Sequence, residues 1–164
     1  MTGEIWSTTA VESSGVEPGT AAGAAVDHRM DIMQMTQTAE DAVLRPADPG
    51  AWSHELRLAL ACRIARLNNA DRLAEKYLEM LGASHYAQVA DPTVESSNGD
   101  LVACLAFTDR VATRPSAITS QDIQVLQAAG IADADIVRLT ELNAFLAYQI
   151  RLVAGLALIA GVAS

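Results

Sequence analysis

His54 and Glu55 stand side by side at the start of a predicted helix, an imidazole next to a carboxylate. General acid–base chemistry needs such groups within hydrogen-bond reach of a substrate proton. The same residues also have a plain structural use, since a glutamate in a first helical turn complements the macrodipole and a histidine there can cap or face water. Tyr77 offers a hydroxyl to orient a ligand, or an amphipathic side chain for a subunit seam. Arg63 and Arg66 interrupt an apolar stretch. If buried, each needs a carboxylate or a bound anion; otherwise they are solvated or intersubunit arginines. In the last apolar run, Glu141 and Tyr148 share one helical face, and Asn143 and Arg151 share a second. Polar groups in such a run must be satisfied internally, for example by an ion pair of Arg151, or must line a polar pocket for a small acid.

Cys62 and Cys104 are far apart and form no CxxC. Both sit among Ala and Leu, where a free cysteine behaves as a small hydrophobe, so Cys62 is the weaker candidate nucleophile. His28, His54 and His85 form no i,i+4 pair, and His28 and His85 read as surface residues. The expectation is therefore no metal site and no cofactor.

The elements that must position these groups are helices. Apolar spacing predicts a first helix over 24–44, stopped by Pro46 and Pro49. Ser53 caps a second helix running to Leu67, with Leu56, Leu60, Ile64 and Leu67 on one face. Asn69 or Asp71 caps a third over 70–81, ended by Gly82. Residues 83–99 read as a loop. A fourth helix covers 100–113 and ends before Pro115. Thr119 with Asp122 three residues on forms a capping box for a short helix closed by Gly130. Asp133 caps the last helix, which runs to about residue 160. Residues 1–22, rich in Ser, Thr, Gly and Glu, read as a flexible arm in which Trp6 and Val16 hint at docking. A helical domain spans 23–164.

The 164 residues suffice for one core, and 51% of them are hydrophobic with few aromatics. The formal charge of −9 and the single lysine, Lys76, argue against nucleic acid and anionic membrane surfaces. The terminal run LVAGLALIAGVAS is shorter than the roughly 20 apolar residues that span a bilayer. Extending it backwards brings in Arg151, Gln149 and Asn143, so it reads as a buried or interface helix. The N-terminus lacks the pattern of a signal peptide, and a reducing, cytoplasmic setting is expected.

Three stretches carry a resemblance: ELRLALACRIARLNNADRLAEKYLEML (55–81), FTDRVATRPSAITSQDIQVLQAAGI (107–131) and DIVRLTELNAFLAYQIRLVAGL (135–156). Together they resemble the carboxymuconolactone decarboxylase and alkylhydroperoxidase-D superfamily, in a divergent, peroxidase-related subgroup. The resemblance implies an all-α domain of about six helices that assembles as a homo-oligomer. Redox members carry a CxxC and a following histidine at the joint of two helices. Those slots fall here near Ala70, Leu73 and Tyr77, so the dithiol route is not inherited. What remains implied is acid–base chemistry on a small anionic substrate, with Glu55 moving a proton, helped by His54 or Tyr77. Arg63, Arg66, Asn143 or Arg151 would then hold the substrate. The alternative is a non-catalytic ligand-binding module or a partner subunit of a second alkylhydroperoxidase-domain protein.

Overall fold

Ten consecutive residues, Leu56 to Ala65, are buried in the computed structural model, which describes residues 5–96 and 99–162. They belong to α4 (His54–Leu67), the hub of an all-helical fold. Before it come α1 (Thr9–Ser14), α2 (Ala21–His28) and α3 (Met30–Leu44). After it come α5 (Asp71–Leu81), α6 (Gly99–Thr113), α7 (Ser120–Ala128) and α8 (Asp133–Ala160). Short 3₁₀ turns lie at Ile5–Ser7, Ala87–Ala90 and Pro115–Ala117. The small side chains Ala59, Ala61, Cys62 and Ala65 let α5, α6 and α8 approach α4 on several sides.

Eight α-helices among the described residues replace the expected six. The predicted helix over 24–44 divides at Arg29, whose backbone (φ −122°, ψ 28°) leaves the helical region. The break lets Val26 of α2 and Met33 of α3 enter one small core with Ile5, Val11, Val16 and Leu156. The N-terminal stretch also differs from its reading. Residues 1–4 lie outside the described residues, but from Ile5 onward the expected flexible arm is a 3₁₀ turn and helix α1, packed on α8, α5 and α3. Its polar composition looked like a linker. The buried Thr8 and Ser14 hydroxyls instead donate to Ile5 O and Val11 O, and Thr9 N donates to Gln37 Oε1 at 2.9 Å.

Several local signals act as read. Ser53 Oγ accepts from Leu56 N at 3.2 Å to start α4. Thr119 and Asp122 form the capping box of α7. Gly82 and Gly130, both at positive φ, follow α5 and α7. α5 and α8 differ: their N-cap positions are Ala70 and Ala132, and among the described residues no side chain caps either, so neither Asn69, Asp71 nor Asp133 acts as a cap. The turn before α5 is made by Asn69 at φ 56°, a left-handed conformation that asparagine tolerates.

α8 spans 28 residues with a mean hydropathy of 1.6 over its most apolar window, enough by length and composition to cross a membrane. In the fold it packs against α1, α3, α4 and α6, and 44% of that window is buried inside the protein.

Candidate functional site

The residues singled out by type do not converge. Glu55 is exposed and lies 3.8 Å from His85 Nδ1, while His54 Nε2 lies 2.9 Å from the Pro46 carbonyl oxygen. Both side chains serve the outer rim of α4. Arg151 is exposed and donates to Ala147 O of its own helix. Asn143 is buried, donates to Leu139 O at 2.9 Å, and keeps Oδ1 without a partner among the described residues.

Arg63 is buried, but not for an anionic ligand. Its Nε and Nη2 donate to Asp109 Oδ1 and Oδ2 at 2.6 and 2.7 Å, and its remaining N–H groups reach the carbonyls of Val89, Asp91, Pro92 and Val94. A guanidinium has five N–H donors, and these contacts use all of them. Arg66 similarly donates to Ala90 O at 2.9 Å. The two arginines tie the 87–94 segment to α4, and Arg63 has no N–H left for a substrate anion. Arg57, which the sequence reading passed over, does the same one helix end away. Buried, it donates to Trp52 O, Val43 O and Pro49 O. Burial lowers its pKa from the usual arginine value.

Neither cysteine is poised as a thiolate. Cys62 donates to Ala74 O at 3.3 Å, and burial pushes its pKa up. Burial pushes the Cys104 thiol up to about 12. Among the described residues no group of three His, Cys, Asp or Glu could hold a metal ion.

One predicted residue, Tyr77, does enter a polar cluster, together with residues the sequence reading did not select. Glu40 of α3 is only 1% exposed. Gln149 of α8 donates to its Oε1 at 3.3 Å, and Tyr77, Thr9 and Gln37 surround it. Glu40 Oε2, Tyr77 Oη and Gln149 Oε1 are buried without a hydrogen-bond partner among the described residues. Burial raises the Glu40 pKa, against the lowering effect of its polar neighbours. Burial also holds the Tyr77 phenol well above its ordinary value, and the adjacent Glu40 carboxylate adds to this. Both groups are thus pushed toward their protonated forms. The signal was present in the sequence, because Glu40 stands at helical spacing on the stripe Met33, Thr36, Leu44 that α3 buries.

A cleft of about 270 Å³ opens at the α4–α5 joint. Asn69, Ala70, Arg72 and Leu73 form one side and Ser13 of α1 another. Ile150, Val153 and Ala157 of α8 supply an apolar wall. Three helices link this cleft to the buried cluster. Ser13 and Thr9 on α1, Leu73 and Tyr77 on α5, and Val153 and Gln149 on α8 are each four residues, or one turn, apart. The cluster therefore lies about one helical turn behind the cleft. Comparison with known protein families, with curated proteins and with solved structures finds no match to this chain.

Proposed function

We propose that this chain is a ligand-binding module built on a carboxymuconolactone decarboxylase/alkylhydroperoxidase-D-like helical scaffold, taking a small molecule in the cleft at the α4–α5 joint. The observation that carries this reading is the cleft itself: concave, walled by α8 and rimmed by polar groups. Small-molecule sites have this anatomy, and its volume is just below the usual range of about 300–1,000 Å³, which suits a small ligand. The resemblance supports the same place, since the slots it assigns to the absent dithiol fall near Ala70 and Leu73, both in the cleft wall. A cytoplasmic homo-oligomer, or a complex with a second alkylhydroperoxidase-domain protein, belongs to this proposal. The exposed apolar residues Met35, Val137, Leu158 and Ile159 offer surface for such contacts.

The test is ligand-induced stabilisation. A molecule that binds only the native state raises the unfolding temperature in a concentration-dependent way. Small acids, amides and lactones that do so for the native protein are expected to lose the effect in Ala154→Phe, which fills the cleft. Equal stabilisation of both proteins, or none of either, contradicts the reading.

A second reading is favoured by the buried cluster. In that reading an enzyme uses Glu40 and Tyr77, in place of Glu55 and His54, to hold and return a proton, relayed through one water to a ligand in the cleft. If so, turnover of a small lactone is expected to fall about 100-fold or more in Glu40→Gln. Absence of turnover in the native protein leaves the binding module.

A further inference from the structure

We infer that the cleft takes a small monocarboxylate, with its head group on the open N-terminus of α5 and its apolar body along α8. This rests on the reading of the cleft as the ligand site and adds the chemical class of the ligand. Four observations meet there. The first N–H groups of an α-helix have no intrahelical acceptor, and at α5 no side chain among the described residues takes them. The helix is 11 residues long, so these donors carry the positive end of a developed macrodipole.

Ser13 is the second and independent sign. It lines the cleft, is only 5% exposed, and its Oγ has no hydrogen-bond partner among the described residues. A buried hydroxyl left unpaired carries an uncompensated desolvation cost. Its neighbour Ser14 is buried too but donates to Val11 O at 2.7 Å, so this burial does not of itself prevent pairing. The unpaired hydroxyl belongs to the residue that faces the cleft.

The third sign is Arg72. It lines the cleft and makes no ion pair or hydrogen bond among the described residues. Its guanidinium rests on Gly15, which ends α1 at φ 70°. A Cβ at that glycine would stand 2.1 Å from Nη1, so the position leaves room for the arginine. The nearby acid Glu12 is already paired with Lys76.

The fourth sign is the apolar wall of Ile150, Val153 and Ala157, which gives an amphipathic ligand somewhere to bury its body. Opposing charges limit the choice. Asp71 in the first turn of α5 and Glu75 beside Arg72 are negative and exposed. A singly charged head group meets less repulsion there than a phosphate dianion.

Calorimetric titration of the full chain tests this with hexanoate, hexanamide and inorganic phosphate. Hexanoate is expected to bind at least tenfold more tightly than hexanamide, and phosphate is expected not to displace it. Arg72→Gln and Ser13→Ala should each weaken hexanoate several-fold and leave hexanamide unchanged. Asp71→Asn should tighten hexanoate. Arg72 and Asp71 are exposed, so their substitutions test binding without threatening the fold. Equal affinity for acid and amide, or indifference to Arg72→Gln and Asp71→Asn, overturns the carboxylate assignment but leaves the cleft as a neutral-ligand site. Displacement by phosphate overturns the monoanion preference. If neither hexanoate nor hexanamide binds, the inference and the reading of the cleft fall together.

Discussion

Glu40 is a buried carboxyl whose titration ties stability to pH. Its folded-state pKa lies above the ordinary 4.5 because burial disfavours the carboxylate. The native protein therefore holds this proton at pH values where the unfolded chain has released it. In that window the native state binds more protons, so Glu40's contribution to stability falls as pH rises from about 4.5 through the raised value. Glu40→Gln removes this titration and keeps the shape. Denaturant melts at pH 5 and pH 8 are expected to show the substitution gaining on the native protein at the higher pH, by roughly 1–3 kcal/mol. A native protein that gains on Glu40→Gln as pH rises would contradict this. Arg63 is the opposite case, a buried charge fully paired. Asp109→Ala strands it and is expected to cost about 3–5 kcal/mol in the same melts. An unchanged midpoint would mean that the carbonyls alone hold the guanidinium.

At the scale of elements, the features legible in the sequence were the ones decided by neighbours in sequence. Ser53 starts α4, the Thr119–Asp122 pair starts α7, and α8 ends near residue 160, because each depends on backbone donors and acceptors within one turn. Thr119→Ala is expected to lower stability by about 1 kcal/mol, measured by thermal unfolding, since it leaves an N-terminal donor of α7 unmet. What the sequence did not disclose was decided across the chain. α1 looks like a linker until Gln37 caps it and α8 covers it. Arg57 looks like an ordinary solvated arginine until Trp52, Val43 and Pro49 turn their carbonyls toward it. The candidate site divides in the same way. Tyr77 is singled out by the resemblance, which lays a histidine slot on that residue of α5. Ser13 and Arg72 meet only because α1 folds back over the start of α5. Glu40 was open to detection by its phase on α3 and shows that a charged residue in register with Met33 and Leu44 outweighs its type as evidence of burial.

At the scale of the molecule, the fold places a concave cleft at the joint of its two most closely packed helices and leaves apolar side chains on the outside of α3 and α8. Leu158 is 77% exposed and Ile159 is 64% exposed, an adjacent apolar pair available to the proposed contact between copies. Sedimentation is expected to report an oligomer that Leu158→Glu dissociates. A native monomer would remove the homo-oligomer from the proposal and leave the cleft untouched. The central claim is that ligands enter at the α4–α5 joint, and an amide-resolved chemical-shift map under a mixture of small carboxylates and amides tests it most directly. The account predicts shifts concentrated at Ser13, Asn69 to Leu73 and Val153 to Ala157. Shifts gathered instead around Glu55, His54 and His85, or spread without a centre, would contradict it.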